Sequence, residues 1–367
     1  SLCAIVLSCS GDVGWNNQEP ISYRDLTFDE ELYGTGQNGF SEIFSTYTGV
    51  NASNDISEKE ILENQHLMHG SGVALGDVNG DGLIDIYIPR IKEDNVLYIN
   101  KGEWQFEDFT LAAGVAAPNR YSNGSVFADV DGDRDLDLIV TALGGPNSVF
   151  INDGNGIFVE KKLDSKLNNP GSTSSALADV DNDGDLDLYI TNYKRKAMRD
   201  SLPPPAISFD NTLYESPDGK WEVVPPFNRE YEAEVKGDKL FRFEFGEVDQ
   251  FYFNDGKGNF NLIDITKENF YSVDGSPVDS HLRDWGLVAQ FRDMNNDGHP
   301  DIYICNDFES PDRIWINNGD GSFSEIEKTA VRHTSNSSMS VDFSDLNKDG
   351  YVDFFVSDML SQSHIMK

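Results

Sequence analysis

One pattern of polar and apolar positions occurs five times along the chain. Each copy has nine residues with Asp or Asn at positions 1, 3, 5 and 9, followed by three apolar residues that are mostly β-branched or aromatic. Such apolar residues favour strands. The nine-residue segments are 77–85, 129–137, 179–187, 293–301 and 345–353. The pattern predicts five polar loops that each lead into a buried strand.

A second pattern predicts a β-hairpin in most repeats. Apolar residues lead to an Asn, a Gly-containing turn and a Phe in segments 97–106, 150–158, 252–260 and 315–323. Apolar runs on both sides of an Asn/Asp/Gly cluster are typical of hairpins. With one strand before the loop and one after it, each repeat has four strands in roughly 50 residues. The chain is therefore predicted to be all-β and to form β-propeller blades.

The spacing of the two patterns predicts an insertion in the third repeat. The hairpin Asn lies 23 residues after the first loop Asp in the second repeat (Asp129 to Asn152), but 75 residues after it in the third (Asp179 to Asn254). The extra residues, about 192–247, fall between the second and third strands of the third blade. The alternative is that this segment is a degenerate extra blade that lacks its loop.

Each nine-residue loop predicts one cation site. The side chains at positions 1, 3, 5 and 9 and the main-chain carbonyl at position 7 can surround one ion. The predicted ligands are Asp77, Asn79, Asp81, Leu83 and Asp85; Asp129, Asp131, Asp133, Asp135 and Asp137; Asp179, Asp181, Asp183, Asp185 and Asp187; Asp293, Asn295, Asp297, His299 and Asp301; and Asp345, Asn347, Asp349, Tyr351 and Asp353. Hard oxygen ligands in a flexible loop favour Ca²⁺ over Mg²⁺. We expect up to five Ca²⁺ and no other cofactor.

The loops differ from EF-hands. An EF-hand has a bidentate Glu at position 12 between two helices, whereas position 12 here is Ile or Val within a predicted strand. Position 6 is Gly in four loops, which permits the left-handed backbone of a sharp turn. Arg134 stands there in the second loop, at a cost of about 1 kcal/mol. We expect the second site to differ most from the others.

The charge of the chain agrees with cation binding. There are 64 acidic and 28 basic residues, for a net charge of −36, and 19 of the acids lie in the five loops. Such a surface repels nucleic acid and anionic lipid, so neither is expected as a partner. Because the loop carboxylates repel one another without a cation, calcium binding should contribute to the free energy of folding.

The N-terminal residues predict export. Residues 1–8 are apolar and precede Cys9, and the sequence Val-Leu-Ser-Cys is similar to a bacterial lipoprotein cleavage site. We interpret 1–8 as a signal-peptide remnant, Cys9 as the lipidated residue, 9–39 as a tether with a possible first hairpin, and 40–367 as the propeller. This predicts a protein anchored by lipid at the bacterial outer membrane or cell surface. The alternative is a short apolar start without a role.

The loop motif followed by an apolar strand resembles the FG-GAP/VCBS repeat of integrin-alpha-type β-propellers. Three further stretches, 44–50 with 70–74, 306–312, and 333–339, are similar to the cartilage-acidic-protein/ASPIC family of bacterial surface proteins. The resemblance covers about 40–367 and implies a seven-bladed type, of which this chain would be a fragment with about five motif-bearing blades and no ASPIC module. The alternative is a closed five-bladed ring, in which 32–33 and 39–42 complete the last blade.

The resemblance and the loops together favour a binding function. The leading hypothesis is a calcium-stabilised cell-surface binding or adhesion module for protein or glycan. The alternatives are a calcium-dependent polysaccharide lyase or hydrolase and a scaffold of an envelope complex. No nucleophile motif or phosphate loop is present, and no catalytic residue is predicted. His66 and His69 are expected to be hydrogen-bonded surface residues, the alternative being metal or catalytic ligands. Asp307 and Asp312, with Glu309 between them, are expected to lie in a solvated acidic loop, the alternative being a carboxylate pair.

Overall fold

Strands dominate the computed structural model, which describes residues 43–359 except 166, 168–169, 279–281, 308–309, 328–329, 332–333 and 336. Within this range, 45–359 belongs to one compact unit. The predicted signal remnant and tether, Cys9, and the residues 32–33 and 39–42 that would complete a closed ring lie outside the described residues.

Each predicted loop lies between two adjacent antiparallel strands. The first sheet contains β1 Ala74–Gly76, β2 Asp85–Ile88, β3 Val96–Asn100 and β4 Phe106–Asp108; the second contains β5 Ser122–Ala128, β6 Asp137–Ala142, β7 Ser148–Asn152 and β8 Phe158–Lys162. The third contains β9 Ser172–Ala178, β10 Asp187–Asn192, β15 Gln250–Phe253 and β16 Asn261–Ile263. The fourth contains β18 Gly286–Arg292, β19 Asp301–Asn306, β20 Arg313–Asn317 and β21 Phe323–Glu325, with β17 Phe270–Tyr271 parallel to β21. The fifth contains β22 Ser338–Ser344 and β23 Asp353–Asp358.

The hydrophobic core lies between consecutive sheets. The first strand of each sheet contacts the first strand of the next, from β1 through β5, β9 and β18 to β22. The second strands β6, β10 and β19 are buried along their whole length. Their apolar side chains pack in clusters between sheets, for example Tyr87 with Leu138 and Phe150. The expectation of an all-β, propeller-like fold is confirmed; the number of blades in the whole protein stays a prediction.

The helices are short and lie outside the sheets. The α-helices are α1 Ser45–Thr48, α2 Glu58–Glu63, α3 Thr110–Ala113, α4 Met198–Ser201 and α5 Phe209–Thr212, and 3₁₀ helices cover Gln65–His69, Pro204–Ile207 and Phe227–Arg229. Among the described residues, no helix is long and apolar enough to cross a membrane.

The extra residues of the third repeat form two hairpins between β10 and β15. These are β11 Leu213–Glu215 with β12 Trp221–Val223, and β13 Tyr231–Lys236 with β14 Lys239–Glu244. Leu213, Val223 and Tyr231 form a small core of their own. Strand β10 pairs directly with β15, so the third sheet is complete without these hairpins.

The residue before the third strand has the same role in four sheets. Its side-chain oxygen accepts a hydrogen bond from a main-chain N–H group at or just after the end of the second strand, at 2.7–3.0 Å. The four bonds run from Arg90 N to Asn95, from Ala142 N to Asn147, from Asn192 N to Asp249, and from Asn306 N to Asp312. Asn95 and Asp249 also contact the hydroxyls of buried tyrosines, Tyr87 and Tyr189. Asn thus serves in two sheets and Asp in the other two.

We expect Asp249→Asn to make the protein less sensitive to rising pH. Burial raises the pKa of Asp249 to about 7, above its unfolded value, so stability from this group is fully present below the unfolded pKa and is lost as pH rises through about 7. The Asn variant copies Asn95 and cannot ionise. At saturating calcium, the Tm of the variant minus that of the wild type should therefore increase from pH 5 to pH 8. A constant difference would contradict the assignment.

Candidate calcium loops

The sequence places each loop at the same point of its sheet. The last loop residue is the first residue of the second strand in all five sheets: Asp85, Asp137, Asp187, Asp301 and Asp353. The loop therefore joins two antiparallel neighbours, and all five loops lie at equivalent ends of their sheets. Strands flank every loop, as the comparison with EF-hands predicted.

Hydrogen bonds within the loop fix its shape. Asp77, at position 1, accepts from the main-chain N–H groups of Asp81 and Gly82 at 3.1 and 2.7 Å. Asp81, at position 5, accepts from Leu83 N at 2.9 Å. The third, fourth and fifth loops repeat both arrangements. These bonds hold the carboxylates at positions 1 and 5 against the main chain of the loop.

The backbone is left-handed at two loop positions. Position 6 has a positive φ in all five loops, including 78° at Arg134, as predicted. Position 4 is also left-handed, and there the residues are Gly80, Gly132, Asn182, Asn296 and Lys348, with φ between 61° and 79°. The left-handed backbone at position 4 was not predicted from the sequence. Its Gly and Asn residues were an available signal, since both residue types tolerate this conformation.

Position 9 has a structural role in addition to its predicted one. The carboxylate of Asp187 accepts from Val180 N, just after the loop begins, at 3.1 Å, and from Asn254 N, at the end of the third strand, at 3.0 Å. The first, second and fourth loops do the same through Asp85, Asp137 and Asp301. All four residues are buried. Burial raises the pKa of Asp137 to about 6 and that of Asp187 to about 7.

Carboxylates converge most closely in the second and third loops. Oxygen atoms of Asp129, Asp131 and Asp137 lie within 4.8 Å of one another, and so do those of Asp179, Asp181 and Asp183. The second loop does differ, because Asp129 accepts from Gly132 N and Arg134 N. This difference does not prevent its carboxylates from converging.

These two loops also contain buried oxygens without partners. Oδ1 of Asp131 and Oδ1 of Asp185 have no hydrogen-bond partner among the described residues. Burial, with repulsion from neighbouring carboxylates, raises the pKa of Asp185 to about 6. Buried oxygens of this kind cost free energy unless a proton or cation compensates them. A hard divalent cation fits this all-oxygen donor set.

The hairpin Asn links neighbouring sheets through hydrogen bonds, a role that its spacing in the sequence does not predict. Asn254 Nδ2 donates to Val130 O in the loop of the preceding sheet at 2.8 Å and to Leu186 O at 3.2 Å. Asn152 and Asn317 make the equivalent bonds to Val78 O and Val180 O, both at 2.8 Å. The first, second and third loops are therefore each held from the following sheet.

Two hairpin glycines allow this close approach. A Cβ on Gly154 would lie 2.2 Å from Oδ2 of Asp135, at position 7 of the loop in the same sheet. A Cβ on Gly258 would lie 2.6 Å from Ile151 Cδ1 in the preceding sheet, and Gly258 N donates to Val130 O at 3.1 Å. Both glycines have positive φ. The recurring Gly-x-Gly thus lets the hairpin pack closely against the loop of its own sheet and against the preceding sheet.

Two acidic residues that follow β19, Asp307 and Asp312, are buried rather than solvated. Asp307 and Asp312 are 6% and 7% exposed, so the expectation of a solvated loop is wrong for both. Asp312 accepts from Tyr303 Oη and Ser338 Oγ at 2.8 and 2.7 Å. Glu309, between them in sequence, lies outside the described residues.

Comparisons with known proteins identify the repeats. An FG-GAP-like repeat model matches residues 77–140, 129–190 and 293–356. Cartilage acidic protein 1 of Homo sapiens is 28% identical over 82 residues, which are 22% of this chain and 12% of that protein; the Mus musculus protein is also 28% identical over 82 residues, 13% of its length. The matched region is thus only about an eighth of these relatives.

Likeness to solved structures is weak. A lectin of Agrocybe aegerita that recognises non-reducing terminal N-acetylglucosamine has 17% identity and a TM-score of 0.31, over 78% of this chain and 74% of the lectin. A GH43_1 enzyme of Xanthomonas citri has 13% identity and a TM-score of 0.35, over 83% and 94%. At these scores the likeness carries no argument about ligand or activity. The chain thus contains FG-GAP-like repeats over 77–190 and 293–356, and an 82-residue stretch of it is similar to cartilage acidic protein 1.

Proposed function

We propose that the chain is a calcium-stabilised binding module of an exported protein, for a protein or glycan ligand. The observation that carries the calcium assignment is the convergence of three carboxylates in each of two loops, one of which includes a buried oxygen of Asp131 that lacks a hydrogen-bond partner among the described residues. In each loop, side chains at positions 1, 3, 5 and 9 and the position-7 carbonyl would hold the ion. Calcium neutralises the carboxylates and fixes the loops against the neighbouring hairpins.

The proposed ligand surface lies at the opposite ends of the sheets from the loops. A cleft of about 440 Å³ there is lined by Lys92, Arg120, Arg195 and Lys196, together with Glu60 and Glu63. Lys92 pairs with Glu60 at 2.8 Å, and Arg120 pairs with Glu160 at 2.5 Å. The side chains of Arg195 and Lys196 have no ion pair with a described carboxylate.

The charge of this cleft indicates the kind of ligand. Glu60 and Glu160 neutralise two of the four cationic side chains, so the local attraction for anions, in a chain of net charge −36, comes from Arg195 and Lys196. We therefore favour a ligand with carboxylate or sulfate groups, such as an acidic glycan. Lipid attachment at Cys9, which lies outside the described residues, would hold the module at the cell surface. The lyase or hydrolase and the scaffold stay alternative hypotheses.

Binding to polygalacturonate and to a neutral polysaccharide tests this function. We expect retention on the acidic polymer in calcium, about 10-fold weaker binding after Arg195→Ala with Lys196→Ala, and loss of binding with rising salt, because exposed charges are screened. Lys236→Ala, on the β13–β14 hairpin and outside the cleft, is the matched control and should bind as the wild type does. Equal binding by the double variant would refute the cleft, and release of unsaturated products would favour the lyase.

A further inference from the structure

A cluster of histidine and aromatic side chains lies opposite the calcium loops. His66 and His69 precede β1, Tyr193 follows β10, Trp285 precedes β18, and Asp307 follows β19. Because each calcium loop joins the end of a first strand to the start of a second, these residues lie at the other ends of their strands. The cluster therefore shares no residue with the proposed calcium sites.

The two imidazole rings face the same space. They lie on one 3₁₀ helix, where residues three apart are on the same side. The rings are stacked, with their centroids 5.6 Å apart and their planes at 21° to one another. The two imidazoles are thus adjacent on one side of the helix.

The tautomer of His66 is fixed by the main chain. Nδ1 of His66 lies 2.7 Å from the carbonyl oxygen of Lys194, which can only accept, so Nδ1 carries the proton. The residue is 2% exposed, and its Nε2 has no hydrogen-bond partner among the described residues. Because Nδ1 carries the proton, Nε2 bears the unshared electron pair, and a main-chain carbonyl on the other ring nitrogen is the arrangement of metal-binding histidines.

The surroundings of the pair hold it in place and supply a negative charge. Tyr193 makes edge contacts with both rings, each with centroids 4.9 Å apart, and Trp285 contacts His66 and Tyr193. The hydroxyl of Tyr193 donates to the buried carboxylate of Asp307 at 2.9 Å. The carboxylate of Asp307 interacts electrostatically with His69, so its charge acts on this site.

We propose that His66 Nε2 and His69 bind a divalent transition-metal ion, such as Zn²⁺ or Co²⁺, whose charge Asp307 compensates. Imidazole nitrogens suit these ions, whereas Ca²⁺ requires oxygen ligands. His69 is exposed, so an ion can enter from solvent on that side. The site goes beyond the proposed calcium-stabilised binding function and does not depend on it.

Cobalt titration in millimolar calcium tests the proposal on the whole chain. We expect one Co²⁺ per chain, seen as visible ligand-field absorption, and displacement of Co²⁺ by Zn²⁺. His69→Ala should weaken binding at least about 10-fold, while Met68→Ala, an exposed neighbour on the same helix, should leave it unchanged. His66→Gln should have at least the effect of His69→Ala.

Two results would overturn the site. One is no Co²⁺ binding by folded wild-type protein, and the other is equal affinity in wild type and His69→Ala. Since His69 is exposed, its replacement should keep the fold, which the Tm in calcium checks; His66→Gln is interpreted only where that Tm is retained. Calcium binding should be the same in the His69 variant, so failure here is distinguishable from failure of the calcium proposal.

Discussion

Chelation of calcium should lower the Tm by on the order of 10 °C. A ligand at 100 times its Kd stabilises the folded state by about 2.7 kcal/mol per site. The second and third loops, where carboxylates converge, would then contribute about 5 kcal/mol together. For a protein of this size, 1 kcal/mol corresponds to roughly 2 °C. Calorimetry in millimolar calcium and in EDTA measures the difference, and magnesium at equal concentration should restore little of it.

Replacing one carboxylate of the third loop should affect the Tm differently in calcium and in EDTA. Asp181 lies within 4.8 Å of Asp179 and Asp183, and burial with repulsion from Asp183 raises its pKa. Asp181→Ala should lower the Tm in calcium, because a ligand is lost. In EDTA it should leave the Tm unchanged or raise it slightly, because repulsion is relieved.

The control for this variant is Asp210→Ala. Asp210 is an exposed aspartate in the segment between β10 and β15, so its replacement should be neutral in both buffers. Two outcomes would contradict the calcium proposal. The first is a wild-type Tm that does not depend on calcium, and the second is an equal loss in calcium and EDTA for Asp181→Ala.

Local features of the fold could be predicted from sequence because they repeat at fixed spacing. Position 9 of each loop opens the second strand as expected, and Arg134 adopts the left-handed backbone that its place in the motif requires. These depend on residues close in sequence, where turn chemistry and strand propensity act directly. The match to FG-GAP-like repeats rests on the same residues.

Contacts between distant segments could not be predicted in this way. The bond from Asn254 to Val130 joins residues 124 apart, and the bond from His66 to Lys194 joins residues 128 apart. No local period relates such pairs, and His66 alone resembled a surface residue. Asp312 was likewise misjudged because its partners, Tyr303 and Ser338, come from two different sheets.

Replacing Asn254, which links two neighbouring sheets, should lower the free energy of unfolding by an amount that does not depend on calcium. Asn254 is buried, its Nδ2 donates to Val130 O and Leu186 O, and its Oδ1 accepts from Asp255 N. Asn254→Ala leaves buried groups without these partners, and each such group costs about 1–3 kcal/mol. Val130 O keeps its bond from Gly258 N, so we expect a total loss of about 2–4 kcal/mol. Urea unfolding in calcium and in EDTA should show this loss in both.

Two further variants show whether the amide donor is responsible. Asn254→Asp keeps the shape of the side chain but turns the donor into an acceptor that faces two carbonyls, so it should destabilise at least as much as Ala. Asn259→Ala changes an exposed Asn of the same hairpin, whose side-chain amide donates to Asp255 and accepts from Lys161 at the surface, and should cost less than about 0.5 kcal/mol. If Asn254→Asp were as stable as the wild type, the bond from Nδ2 to Val130 O would contribute nothing, and cohesion between sheets would come from apolar packing alone.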